Sequence, residues 1–221
     1  MTIHIYDIYR NPNVGIFTKV SESFLIMPVA YSKPKSEKLA SLLEVQLIHG
    51  SVGGTRLLGP LMAINSNGLL LSRFAEDEEV AHFKKETGLN VSRLDSRYTS
   101  VGNLIATNDR GAAIANVFSS TEAKQIADVL GVPVEKGSVA GYYQVGSVVV
   151  ASNSGALAHP RATEEELSWL RAVLRVDCEV GSVNGGVPFV ASGVQVNTKG
   201  AIVGTATTGP ELFILGKAFK V

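Results

Sequence analysis

The sequence predicts an α/β protein in which one module is repeated five times around a closed, pseudo-fivefold ring, with helices on the outside. Three observations carry the prediction. Two motifs recur at a single period, the order of strand, turn and helix patterns is constant within each period, and the start of the chain supplies a strand that the last period lacks.

LGPLMAINSNG, VGNLIATNDRG, VGSVVVASNSG and VASGVQVNTKG end at Gly68, Gly111, Gly155 and Gly200, which are 43, 44 and 45 residues apart. A divergent copy, VGIFTKVSESF at 14–24, lies 44 residues before Gly68. The second motif is HGSVGG at 49–54, LDSRY at 94–98, KGSVAG at 136–141 and VGSVNGG at 180–186. The units are approximately 1–48, 49–94, 95–137, 138–181 and 182–221 of one domain.

Within a unit, the five to seven apolar or alternating residues before the glycine read as a strand. Asn65 with Gly68, Asn108 with Gly111 and Asn197 with Gly200 then read as hairpin turns, Ser152 with Gly155 standing in once, the glycine supplying a positive φ. A second short strand follows at 69–71, 112–115 or 201–203. Ser119 with Glu122, and Thr163 with Glu166, have capping-box spacing at a helix start. Leu39, Leu42 and Leu43, then Val80 and Phe83, Ala123, Ile126, Ala127 and Leu130, and Leu167, Leu170, Val173 and Leu174 lie on helical stripes, and Gly88 and Gly131 sit where helices stop. A last strand at 45–48, 132–134 or 176–180 ends the unit, giving strand–hairpin–strand–helix–strand. An open stack of such units would expose sheet edges, so closure is expected, with residues 2–8 completing the fifth sheet.

Hydrophobic residues make up 45% and charged residues 18%, enough for a sizeable core. Lys+Arg and Asp+Glu both number 20. Non-specific nucleic-acid wrapping needs a basic excess, so DNA is not expected as a partner and RNA would be met through a local patch. No apolar run reaches the roughly 18 residues that span a bilayer, and the start lacks a secretion-signal pattern. Cys178 is the only cysteine, which fits a reducing, cytoplasmic location.

Closed rings of this module include enzymes acting on guanidino groups, so chemistry has to be weighed. Such an enzyme would need Cys178 exposed in an axial pocket with His159 or His49 within reach. In RVDCEV the flanking carboxylates raise the thiol pKa, and a buried strand residue is the expected role. His4, His49, His82 and His159 show no metal spacing, and no metal or cofactor is expected. The glycine-rich GSVGG and GSVNGG lack P-loop features and are expected at close backbone approaches between modules. Lys33, Lys35, Lys38, Lys84 and Lys85 fall on or beside helices, whereas Arg56, Arg73, Arg93, Arg97, Arg110 and Arg161 fall mainly at turns and strand ends. Equivalent turns should emerge on one face, with Arg110 at a hairpin tip and Arg161 near Asn153.

SVGGTRLLG, NSNGLL, VGNLIATNDRGA, GSVVVASNSGALAHP, VGSVNGG and VASGVQVNTKGAIVGTATTGPEL together resemble the translation initiation factor 6 family of archaea and eukaryotes, the ribosome anti-association factors. The resemblance implies a pentein-type ring. It implies a non-catalytic, monomeric, archaeal-type factor bound to the intersubunit face of the large ribosomal subunit. Contact there would be at ribosomal protein uL14, near the sarcin–ricin loop, and the factor would block subunit joining and act in large-subunit maturation. Asn65, Gly102, Asn103, Asn108, Asp109, Arg110, Asn153 and Arg161 are the residues it nominates for ribosome binding, Asn103 most directly because no hairpin requires it. Eukaryotic relatives carry a serine-rich regulatory tail beyond the point matching Val221, so regulation through such a tail is not expected here.

Overall fold

The computed structural model describes residues 2–220. A leading strand, β1 (Thr2–Tyr6), precedes a first module of α1 (Val14–Phe17), β2 (Lys19–Val20), β3 (Phe24–Pro28), α2 (Lys33–Leu43) and β4 (Gln46–Gly50). The second holds α3 (Leu58–Leu61), β5 (Met62–Ile64), β6 (Gly68–Leu71), α4 (Asp77–Thr87) and β7 (Asn90–Arg93). The third holds α5 (Val101–Leu104), β8 (Ile105–Thr107), β9 (Ala112–Ala115), α6 (Ser120–Leu130) and β10 (Val134–Gly137). The fourth holds α7 (Val145–Val148), β11 (Val149–Ala151), β12 (Ala156–Ala158), α8 (Glu164–Leu174) and β13 (Cys178–Val180). The fifth has a 3-10 turn at Val190–Ser192, then β14 (Val194–Val196), β15 (Gly200–Gly204) and α9 (Gly209–Phe219).

Each module makes one three-stranded sheet. Its first strand is antiparallel to the middle strand, and the strand after the long helix is parallel to it. In the fifth sheet β1 takes that last place, parallel to β15 from Thr2 opposite Gly200 to Tyr6 opposite Gly204. The chain's start closes the ring, as the sequence predicted.

Two local expectations change. The apolar stretch before each hairpin is not one strand: its first three or four residues form a helical turn and only two or three continue as strand. These turns pack side by side around the axis, α1 on α3, α3 on α5, α5 on α7, and α7 and α1 on the 3-10 turn. Glycine permits it, because a Cβ on Gly59 would sit 1.8 Å from the Gly15 carbonyl oxygen, and one on Gly102 1.9 Å from that of Gly59. The hairpin glycines, in turn, are not in the positive-φ region. They admit the neighbouring module: a Cβ on Gly111 would lie 1.9 Å from the Val173 carbonyl oxygen at the end of α8. Positive φ is found in the glycine-rich loops, at Gly53 (61°) and Gly54 (68°). The two glycine roles read from the sequence are thus largely interchanged.

The long helices start and stop as their caps dictate. Ser119 and Thr163 accept from the backbone N–H of Glu122 and Glu166, and Gly88 and Gly131 end α4 and α6 in the left-handed region. Each helix then covers a neighbour's sheet: α6 lies on β6, α8 on β9, α9 on β12 and α2 on β15. Every core is therefore shared between two modules. Leu70 of the second module packs with Ile114, Ile126 and Leu130 of the third, all at most 1% exposed. A module alone would leave its sheet bare, so the ring is the stable unit.

Candidate functional site

Because the strands are so short, the ring has two distinct ends. One end, the tip face, carries the hairpin turns and the C-termini of the long helices. The other, the loop face, carries the turns before the axial helices and the turns leading into the long helices.

On the tip face, Asn65 donates from Nδ2 to the carbonyl oxygens of Asn108 (3.1 Å) and Leu130 (2.8 Å). Asn108 repeats this one module on, donating to Ser152 (3.1 Å) and Leu174 (2.8 Å), and Asn197 donates to Leu43 (3.0 Å). Each side-chain oxygen accepts two backbone N–H groups of its own turn. The amides thus cap orphan carbonyls at the end of the next module's helix. Asn65 and Asn108 are buried, so their side chains belong to the frame and offer nothing to a partner. Asp109 accepts from the Ser66 N–H (2.7 Å) and hydroxyl (2.8 Å) and from Asn153 Nδ2 (2.6 Å). Glu22 accepts from the N–H groups of Asn153 (3.4 Å) and Thr198 (3.0 Å). The first and fourth modules are not neighbours, so the Glu22–Asn153 bond shows that the tips converge over the axis. Arg110 is exposed and donates to the Arg175 carbonyl (3.0 Å).

The loop face is built differently. The N3 glutamates of four long helices reach back to the loops of the second repeated motif, Glu79 accepting from Ser51 Oγ (2.6 Å), Gly53 N (2.7 Å) and Gly54 N (3.0 Å), and Glu122, Glu166 and Glu211 bonding Ser96, Ala140 N and Gly185 N. In the first module Lys35 stands at that position, and Tyr9 and Arg10 occupy the left-handed turn with φ of 56° and 59°. Arg10, Lys35 and Arg56 line a groove there, Arg56 lying 4.9 Å over the Tyr9 ring. Of the exposed large hydrophobics among the described residues, Val29, Leu57, Phe74, Tyr143 and Phe189 are on this face, leaving only Ile5 and Phe213 elsewhere. Exposed apolar side chains and cations on one face make it the candidate interaction surface.

The nominated residues therefore do not form one site. Gly102 and Asn103 lie on α5 at the loop face, where Gly102 is buried against Gly59 and Asn103 lines the mouth of an axial cavity of about 210 Å³. Arg161 follows β12 on the same face, whereas Asn153 precedes that strand, so the expected Arg161–Asn153 proximity is corrected to opposite ends, roughly 10 Å of strand apart. Asn65, Asn108, Asp109, Arg110 and Asn153 share the tip face. Phe189, Tyr143 and Leu57 were missed, although each stands at or just before the start of an axial turn, a position the repeat makes visible.

The requirements of a thiol enzyme are not met. Cys178 is 2% exposed on β13, the strand of its sheet farthest from the axial β11. Burial first, with Glu179 and Glu164 opposing Arg171, pushes its thiol up to about 12; the flanking carboxylates are the lesser cause. His159 is buried against Tyr142, its Nδ1 accepting from the Arg161 N–H (3.0 Å), and His49 contacts Ser36 Oγ (3.0 Å). Among the described residues no group of three His, Cys, Asp or Glu side chains has metal-site geometry, and no helix is long and apolar enough to cross a membrane.

Translation initiation factor 6 of Pyrococcus abyssi is 38% identical over 99% of this chain and 98% of its own length. The proteins of that name from Nitrosopumilus maritimus and Cenarchaeum symbiosum are 42% and 39% identical, each over 99% of both chains. A partial structural likeness, with a TM-score of 0.45 at 18% identity over 76% of this chain and 71% of the other, is to the N-terminal domain of ArgZ bound to a reaction intermediate. The model of the eIF-6 family matches residues 3–218, and with relatives of this similarity over nearly their whole length the chain belongs to that family.

Proposed function

We propose that the chain is a non-catalytic translation factor that docks its loop face on the large ribosomal subunit and keeps the small subunit from joining. The observation that carries the choice of face is the asymmetry of the ring. Tip-face carboxylates and amides are largely spent on one another. The cations Arg110 and Arg175 line a groove there with, among the described residues, no exposed large apolar side chain, while the loop face offers Phe74, Tyr143, Phe189 and Leu57 as well as Arg10, Arg56, Arg73, Arg97 and Arg161. Apolar anchors within a polar rim suit a protein partner, which supports ribosomal protein at the uL14 site as the main contact, with rRNA near the sarcin–ricin loop met by the rim cations. Blocking needs only bulk: a chain of this length has a radius of gyration of about 17 Å, and a rigid body that size on an intersubunit surface leaves no room for the other subunit.

Co-sedimentation with purified large subunits, followed by subunit joining at low magnesium, tests this reading. Phe189→Asp and Asn103→Glu should weaken binding by about tenfold or more without unfolding the ring, while Arg110→Glu should leave it unchanged. Loss of binding in Arg110→Glu alone would move the interface to the tip face. A chain that stays free of large subunits across a salt series would end the proposal.

A further inference from the structure

The innermost strands place one side chain per module at an equivalent axial position, fixed by the hairpin register. Lys19 stands opposite Ile26, Ala63 opposite Leu70, Ala106 opposite Ala113, Val150 opposite Leu157 and Gln195 opposite Ile202. Three modules put a small apolar residue there. The two that do not, the first and the fifth, are neighbours in the ring, so a cation and an amide stand side by side at the axis. Lys19 lines the cavity of about 210 Å³ that opens at the loop face and also a deeper one of about 50 Å³ that Gln195 shares.

Among the described residues Lys19 is the one ionisable side chain lining either cavity, and the larger one also takes in Ser147 and Ser192. Among the described residues its ammonium has no ion-pair partner. Glu22, the nearest carboxylate along the chain, is bound at the tips by Thr198 and Asn153. Burial, with no compensating charge, lowers the Lys19 pKa to about 8. Lys19 is partly buried by surface area; a charge drawn from water in this way is stabilised by a counter-charge, and the cavity leaves space for one. The larger cavity far exceeds the roughly 10–15 Å³ that one water needs, and lies below the roughly 300 Å³ of drug-sized pockets. Its occupant would have only a few heavy atoms.

We propose that the axial cavity binds a small oxyanion, a carboxylate or phosphate, whose charge meets Lys19. Gln195 reaches it from the deeper cavity with the second N–H of its amide, the first being given to the Val194 carbonyl (3.0 Å). The Ser147 and Ser192 hydroxyls donate to the Asn103 carbonyl (3.5 Å) and Asn13 Oδ1 (3.3 Å) and would turn from these to the anion. The site lies beneath the mouth formed by Asn103 and Phe189, yet it does not depend on the docking reading, because its ligand is held by the ring alone.

The test is thermal unfolding of the full chain in increasing inorganic phosphate or acetate, with chloride holding ionic strength constant. The parent should show a rise in Tm that saturates with at least one of the two anions. The rise should be lost in Lys19→Met, reduced in Gln195→Leu and kept in Lys38→Met, which alters an exposed lysine on α2. An equal rise in Lys19→Met would reveal a general salting effect and overturn the proposal, as would no saturable rise in the parent. Should Lys19→Met fail to fold, NMR of the parent with ¹³C-methylated lysines decides. One lysine signal shifting saturably with the effective anion supports the site, and the absence of any such shift overturns it.

Discussion

Replacing Lys19 by methionine removes the ionisable group from the axis and leaves a side chain of similar length to fill the space. The folded pKa of about 8 lies below the ordinary value of 10.5, so between those values the unfolded chain holds more protons and stability rises with pH. Below pH 8 the full cost of burying the charge is present, about 3 kcal/mol from the 1.36 kcal/mol that each pKa unit represents. Lys19→Met should therefore raise stability at pH 7 by about 1–3 kcal/mol in buffer without added oxyanions. The gain should shrink as pH climbs from 8 and be almost gone near 10.5, where the lysine is neutral in the folded chain and half neutral in the unfolded one. Urea unfolding followed through Trp169, the single tryptophan, at pH 7 and at pH 10.5 measures both. A variant less stable than the parent at pH 7, or a difference that does not change with pH, would refute the reasoning by showing that the ammonium is already compensated.

Asn108→Ala breaks four hydrogen bonds and strands the carbonyls of Ser152 and Leu174. It should cost about 2–4 kcal/mol in urea unfolding, while exposed Arg110→Ala should cost a few tenths. Gly102→Ala puts a methyl group 1.9 Å from a backbone oxygen that no side-chain rotation can clear. It should lose about 3 kcal/mol or more, and a circular-dichroism melt close to the parent's would show the axial turns to be loosely packed. Burial pushes the Glu211 carboxyl up, but the Thr208 backbone, the Ser182 hydroxyl and the N–H groups of Gly185 and Gly186 outweigh it and hold the pKa near 2. That stability is present above pH 4.5 and lost as pH falls toward 2, so Glu211→Gln should cost about 2–3 kcal/mol at pH 7 and little at pH 2.

The period and the strand–turn–helix order were legible because glycine, capping residues and apolar stripes recur at fixed spacing. The axial turns were not: VGNL is apolar enough for either strand or helix, and only packing against Gly59 across the module boundary decides. The role of the hairpin glycine was misassigned for the same reason, since close approach by a residue such as Val173 lies 62 positions away and leaves no local signature. The split of candidate residues between two faces depends on strands only three residues long, so that neighbours in sequence such as Asn153 and Arg161 end on opposite sides. Lys19 escaped notice because it lies in the most divergent copy. Aligning that copy with the others sets it against Ala63, Ala106 and Val150, and the departure becomes plain.

The strand that closes the ring also sets when it can close. Thr2 and Gly200 are 198 positions apart, whereas Phe24 and Gln46, paired in the same parallel fashion in the first sheet, are separated by 22. Loop-closure entropy makes the longer pairing dearer by about 2 kcal/mol, and no ribosome can release the partner strand until nearly the whole chain has emerged. The seam between β1 and β15 should therefore be the last joint made. Its amides should exchange with solvent ahead of those in the sheets whose strands were never far apart.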